Sequence, residues 1–234
     1  MIISHKYKYI FLKTVKKAGT SIEISISRFC GKDDIIVPFH KEDENIRKNL
    51  KVFPQNYIRE QSKTWKEYTI KDFLRLLIKG RKPSKTKFRM RQHSSAKEVK
   101  EFIGSDIWNN YFKFCFVRNP WDRAISHYYW FIREPERSKD LNEFLIKQNK
   151  LNYSYIYMID NKIAVDFVGK YENMMQDLSF VCNKLGIPFD NWLPRSKRHY
   201  RTDKRHYTEM LNEDQAELIR QACANEIQLF DYSF

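Results

Sequence analysis

No apolar run in this 234-residue chain approaches the roughly 18 residues that a membrane-spanning helix needs. That excludes an integral membrane protein of the helical kind. The N-terminus has no apolar h-region followed by small residues, and Tyr9–Leu12 reads as a core strand, so no signal peptide is expected. Cysteine is scarce. The four residues Cys30, Cys115, Cys182 and Cys223 lie far apart and follow no metal-ligand spacing. Three of them sit in apolar patterns, so buried free thiols in a reducing compartment are expected. Internal repeats, low-complexity tracts and linkers are absent, and one domain spanning 1–234 is the best count. The Walker pattern G-x-x-x-x-G-K-[ST] is missing too. Negative charge is in deficit: 43 Lys+Arg stand against 29 Asp+Glu, a net +14 at pH 7. A surplus of that size implies an anionic partner without choosing among nucleic acid, a phosphorylated cofactor, an acidic glycan or a membrane surface.

What is present is organised around residues 9–23. Tyr9–Leu12 is an apolar run, a turn with two lysines, Gly19 and two hydroxyls follows, and Ile22, Ile26 and Phe29 then recur at helical spacing. Strand, small-residue turn and helix bring backbone N–H groups and a helix N-terminus to an anion. Gly19 permits close approach. Thr20 or Ser21 is expected to cap the helix, and Lys16 and Lys17 to supply charge. A plain basic loop with a capped helix would read the same way.

A second apolar strand, Tyr111–Val117, is broken only by Lys113 and runs into Arg118-Asn-Pro-Trp-Asp-Arg-Ala-Ile-Ser126. So continuous an apolar run suits a parallel strand covered on both faces. Pro120 suits a first helical turn, and Arg118 then leaves the carboxyl end of a central strand, where ligands bind in open α/β sheets. Ser126 lies about two turns into that helix. Spacing alone does not point it at Arg118.

Between the two units, Asp34–Phe39 fits a short strand. Residues 41–88 read as an irregular, partly helical excursion, with a helix over Ile70–Ile78 stopped by Gly80 and Pro83. This excursion either carries acceptor specificity or is a solvated cover. Ser95 and Glu98 form a capping box, which leaves His93 just outside a helix N-terminus. The dipole there disfavours imidazolium and favours a neutral base. Further on, helices are expected over 141–151 and 174–185, a strand over 166–171, and one last helix framed by Asn212 and Gln215 with Leu218, Ile219, Ala222 and Ile227 inward. Arg195–Tyr207 is the most basic segment. The expected fold is α/β in three layers, with a parallel sheet of about five strands between helices.

Lys16-Lys-Ala-Gly-Thr-Ser21 resembles the K-T-[AG]-G-T-S turn of sulfotransferases that use 3′-phosphoadenosine 5′-phosphosulfate (PAPS). Phe116–Tyr128 is similar to their second signature, F-V-R-[ND]-P-x-x-R-x-x-S-x-Y. Gly169–Asn173 and Phe230–Phe234 look like the carbohydrate-type branch. The resemblance runs from residue 9 to the C-terminus and leaves 41–88 uncovered. Val15 stands where the family usually has proline, and Lys17 where it has a small residue.

The resemblance implies a P-loop-like architecture and sulfuryl transfer from PAPS to a hydroxyl, in particular a saccharide hydroxyl, without a metal. It implies that Lys16 contacts the bridging oxygen of the leaving group. Lys17, Ala18, Gly19, Thr20 and Ser21 would wrap the 5′-phosphate, and Arg118 and Ser126 would hold the 3′-phosphate. Arg201 and Thr202 would close over the nucleotide, and His93 would act as general base. His40 or His199 could replace His93. Glu172 could be a base or pair with a cation. His127, Tyr128 and Tyr129 read as packing residues, and Trp121 as an adenine stacker or a cover. A nucleotide kinase on the same fold would want a Walker lysine and Mg²⁺-binding carboxylates, which cannot be identified. A nucleic-acid-binding protein would exploit the charge and the interspersed aromatics. Relatives acting on secreted glycans in animals usually carry a membrane anchor, so a bacterial or viral enzyme in the cytoplasm is expected.

Overall fold

The computed structural model describes residues 1–80, 82–147, 151–194 and 201–234. Arg195, Lys197, Arg198 and His199, which belong to the basic segment, lie outside the described residues.

The chain opens with a hairpin, β1 (Ile2–Ser4) and β2 (Tyr9–Leu12), then α1 (Gly19–Ser27) and the two-residue strand β3 (Ile35–Ile36). Helix α2 (Lys41–Asn49) precedes a second hairpin, β4 (Ile58–Ser62) and β5 (Ser84–Arg89), whose connection carries α3 (Ile70–Lys79). Next come α4 (Ala96–Ile103), α5 (Ser105–Asn110), β6 (Phe112–Val117), α6 (Pro120–Phe131) and α7 (Leu141–Lys147). A small hairpin, β7 (Met158–Ile159) and β8 (Lys162–Ile163), leads to β9 (Phe167–Lys170) and α8 (Met174–Leu185). The described chain ends in α9 (Tyr207–Met210), α10 (Glu213–Ala222) and α11 (Ala224–Phe230).

The central sheet has five strands in the order β3-β1-β2-β6-β9. Strands β2, β6 and β9 run parallel, whereas β1 is antiparallel to both β2 and β3. The sheet is parallel, as expected, except at β1. The turn joining it to β2 is too short for the long crossover that a parallel connection needs. Period-two alternation splits the core between the two faces. Tyr9, Phe11, Phe114 and Phe116 pack on Ile22 and Ile26 of α1 and on Leu178, Val181 and Cys182 of α8. Ile10, Leu12, Cys115 and Val117 pack on Val99 and Phe102 of α4 and on Trp108 of α5. Helix, sheet and helix thus form the three α/β layers expected, and α6, α7 and α10 enclose a third apolar cluster around Trp121, Phe144 and Ile219. Lys113 is tolerated in β6 because its ammonium donates to the Trp108 and Tyr111 carbonyls and pairs with Asp166. The four cysteines are free, three of them buried and Cys30 half-buried.

Three expectations are corrected. Residues 41–88 are partly helical, with α3 where expected, but hold α2 and most of the β4–β5 hairpin in place of irregular chain. The last helix is two, broken at Cys223. Its inward face carries Gln215, Ala216, Ile219, Cys223 and Glu226, while Leu218 and Ala222 face solvent.

Register explains where a ligand can sit. Leu12 pairs with Cys115, and Val117 with Lys170, so the three parallel strands end along one rim. The loops after β2, β6 and β9 all leave from there. Gly169 sits opposite Phe116, and a Cβ at that glycine would come within 2.6 Å of the phenyl ring.

Candidate active site

A cavity of about 1100 Å³ opens on that rim. Its walls include Lys16, Lys17, Ala18, Gly19 and Thr20 from the first loop. Arg118 and Ser126 come from the second, and Arg201 and Thr202 from the late basic segment. His93 lines it as well, so the two anion loops and the candidate base share one space. Ser21 is buried one residue deeper in α1.

The first loop is held in an uncommon conformation. Lys16 and Ala18 both have positive φ, 60° and 53°, a left-handed region that non-glycine residues avoid and that marks functional loops. Alternation of this kind turns successive N–H groups toward one concavity. Ala18 is the N-cap of α1 and offers no side-chain cap. Neither Thr20 nor Ser21 caps the helix as expected, because both already lie inside its first turn. A helix start without a side-chain cap is suited to an anion. Gly19 runs close to Lys13: a Cβ there would meet Lys13 Cγ at 2.9 Å.

The two lysines diverge. Lys16 is half-buried, with Nζ 5.3 Å from the centre of the Trp130 ring. Lys17 points the other way. Its side chain is fully buried, and Nζ lies 2.8 Å from Glu226, whose other oxygen accepts from Arg123 at 2.5 Å. Burial pushes the Lys17 pKa down against the pull of Glu226. Burial alone would raise Glu226, but Lys17 and Arg123 outweigh it and hold the carboxyl at about 2. Lys17 therefore offers the cavity its backbone and not the charge expected of it.

Arg118 crosses between the loops. Nη1 donates to the Lys16 carbonyl at 3.1 Å, Nε and Nη2 contact Asp122 at 2.8 and 2.6 Å, and the guanidinium stacks on Tyr171 at 4.1 Å. The other Asp122 oxygen accepts from Arg201 at 2.7 Å. One carboxylate thus presents two arginines to the same wall. Asn119 caps α6 by accepting from the N–H groups of Trp121 and Asp122.

His93 Nδ1 lies 2.8 Å from the Lys13 carbonyl. A carbonyl only accepts, so Nδ1 carries the proton and Nε2 holds the lone pair. Burial, with the Lys13 charge second, lowers the His93 pKa to about 4. Burial and the Lys13 charge thus favour the neutral ring near pH 7.

The other candidates separate. His40 shares the cavity wall. His127 does too, while also packing edge-on against Phe144 and contacting the Tyr153 hydroxyl at 3.2 Å. Glu172 faces a smaller neighbouring cavity of about 320 Å³ and accepts the Asn119 N–H at 2.8 Å. It holds the second loop. Trp121 is buried, with Nε1 donating to the Ala216 carbonyl, so it covers the turn instead of meeting a ligand. Asp122, Tyr171, Trp130 and Gln92 escaped the sequence reading. Only Asp122 had a signal there, in the first turn of α6 and four residues after Arg118.

These features define the class: an α/β protein with a basic basin at the carboxyl ends of parallel strands, fit for a polyanionic ligand. A sequence profile of the sulfotransferase family matches residues 1–233. The chain belongs to the sulfotransferase family, enzymes that transfer sulfate. It is 34% identical over 97 residues, 38% of this chain and 80% of the other, to an uncharacterised protein of Archaeoglobus fulgidus. It also aligns with the crystal structure of a sulfotransferase from Alicyclobacillus acidocaldarius, at 17% identity and a TM-score of 0.46 over 97% of this chain and 96% of that one. No described helix is long and apolar enough to cross a membrane.

Proposed function

We propose that the sulfate donor is PAPS and the acceptor a hydroxyl group, in particular that of a saccharide. The observation that carries this reading is the single cavity of about 1100 Å³ walled by both anion loops and His93. PAPS supplies an activated sulfuryl group on an adenosine bearing roughly four negative charges, and the residues present suit it. Backbone N–H groups of 17–21, with the Thr20 and Ser21 hydroxyls, cradle the 5′-phosphate at the uncapped start of α1. Three of the five Arg118 donors are engaged by Asp122 and Lys16. The rest, with the Ser126 hydroxyl, hold the 3′-phosphate bidentately. Arg201 and Thr202 close the same wall.

Sulfuryl transfer is taken to resemble phosphoryl transfer, with a loose in-line transition state in which positioning and charge stabilisation dominate. Lys16 neutralises charge on the leaving oxygen, a role worth about 3–4 kcal/mol by analogy with one oxyanion donor. His93 Nε2 accepts the proton of the attacking hydroxyl, and Lys13 O fixes the ring through Nδ1–H. The negative charge of a bound donor raises the His93 pKa toward neutrality. The free thiols suit a reducing, cytoplasmic setting.

The test pairs calorimetric titration of 3′,5′-ADP with mass spectrometry of saccharides incubated with PAPS. Micromolar binding and a product heavier by one SO₃ support the reading. No nucleotide binding ends it. Steeply salt-dependent binding of random oligonucleotides, indifferent to 3′,5′-ADP, would make the basin a nucleic-acid surface.

A further inference from the structure

Helix α3 is well specified and yet buries nothing. Thr69 and Asp72 form a complete capping box at its start, and Gly80 ends it with φ of 60°. None of its ten residues is buried. Ile70, Phe73, Leu74, Leu77 and Ile78 fall within an arc of about 140° at 3.6 residues per turn. They are 82, 45, 53, 82 and 78% exposed. A helix with such a stripe ordinarily packs it on a core, and among the described residues none covers it. The rest of the helix holds three cations, one acid and the half-buried Leu76. Lys71, Arg75 and Lys79 project from the other side, and Asp72, its one acid, is paired with Lys63 at 2.6 Å. A short aromatic ladder stands at the N-terminal end: Trp65, 67% exposed, lies 5.0 Å from Tyr68 and 6.3 Å from Phe73 between ring centres.

We propose that α3, with Trp65, is a peripheral membrane anchor that lies in the plane of an anionic lipid bilayer. Three observations choose lipid as the occupant. An apolar arc beside a row of Lys and Arg is the pattern of interfacial helices, whose apolar side enters the acyl boundary while cations meet anionic headgroups. A tryptophan at the edge of the apolar stripe suits the headgroup level. The chain's net charge of +14 draws it to a negative surface, whereas a second copy seated on the same stripe would bring two such charges together. The arm is separate from the anion basin: α3 is the connection of the β4–β5 hairpin and contributes no residue to the cavity wall. The inference stands whether or not PAPS is the donor.

Flotation with lipid vesicles tests it. Native protein is expected to bind vesicles of phosphatidylcholine with about 30 mol% phosphatidylserine at least about tenfold more tightly than pure phosphatidylcholine vesicles. The double substitution Leu74→Asp and Leu77→Asp removes two exposed apolar contacts. It should weaken binding to the anionic vesicles by at least about tenfold, with the circular dichroism spectrum and melting temperature unchanged. Three results overturn the proposal. One is no flotation of the native protein. Another is equal flotation of the double variant, which would reduce the effect to adsorption of a basic surface. The third is a dimer in sedimentation of native protein that the same substitutions dissolve, which would make a second copy the occupant.

Discussion

Replacing Arg118 by alanine should separate the two ends of a bound 3′,5′-ADP. In the free protein the guanidinium gives three donors to Asp122 and the Lys16 carbonyl, so two N–H groups are left for a phosphate. A hydrogen bond to a charged group contributes about 1.5–3 kcal/mol, which is about tenfold to about 150-fold in Kd. Arg118 also tethers the Lys16 loop, so its loss disturbs the 5′-phosphate cradle as well. A ligand cycle removes that ambiguity. Calorimetry on native and Arg118→Ala protein with 3′,5′-ADP and with 5′-AMP, which lacks the 3′-phosphate, gives four affinities. The coupling between arginine and 3′-phosphate is the ratio of the two ratios, expected within the same tenfold to 150-fold window, by about that margin. If both nucleotides weaken by the same factor, the coupling is one. Arg118 would then be a tether and nothing more, and the assignment of the second loop to the 3′-phosphate would fall.

Three further outcomes follow from the geometry. His93→Asn should reduce turnover by about 10²–10⁴-fold and leave 3′,5′-ADP affinity unchanged; near-normal turnover would move the base elsewhere, with His40 next. Because burial lowers His93 to about 4 before the donor binds, the acid limb of kcat/KM for the donor should fall near pH 4 and vanish from that position in the variant. Glu226→Gln leaves Lys17 and Arg123 in the interior without a counter-charge and should destabilise the fold by about 3–5 kcal/mol, read by urea denaturation at pH 7. The Glu226 carboxyl is depressed from 4.5 to about 2, so its contribution is fully present above pH 4.5 and lost as pH falls toward 2; a native-minus-variant difference that does not shrink over that window refutes the pairing. Gly169→Ala forces a methyl to within 2.6 Å of Phe116 and should lower stability by about 1–3 kcal/mol; an unchanged denaturation midpoint would mean that the ring is free to move aside.

Strands β2 and β6 were legible because they are covered on both faces, which writes them as continuous apolar runs. Strand β1 was not, since three residues before a tight turn carry no period of their own. The stop at Gly186 and the cap at Asn212 could be read because caps are local chemistry. The break at Cys223 could not, because no glycine, proline or side-chain cap marks it, and the partners of the nearby buried Glu226, Lys17 and Arg123, lie far off in the chain. The site divides the same way. Each loop could be read from adjacent residues. The partners that hold it, such as Tyr171 under Arg118 and Glu172 under the Asn119 N–H, come from a strand end more than fifty residues away. The helical period of 70–78 was evident as well, but period says which residues share a face and never what lies against it.

The two departures of the first loop from the family pattern find their account in long-range contacts. A proline at position 15 would stiffen the turn by fixing φ, and Val15 cannot do that. Stiffness is supplied from outside the loop instead. Thr14 Oγ1 donates to the Phe116 carbonyl at 2.5 Å, the Lys16 carbonyl is held by Arg118, and the Lys17 ammonium is buried on Glu226. Three anchors, at 14, 16 and 17, leave the backbone between β2 and α1 little freedom, and the positive φ at Lys16 and Ala18 is what over-determination of that kind sustains. Two of the three anchors lie on β6 or its following loop. The geometry of the first anion loop is therefore set partly by the second, which is why Lys17, a charge that the sequence offers to the ligand, is better understood as a bolt that fixes the cradle from behind.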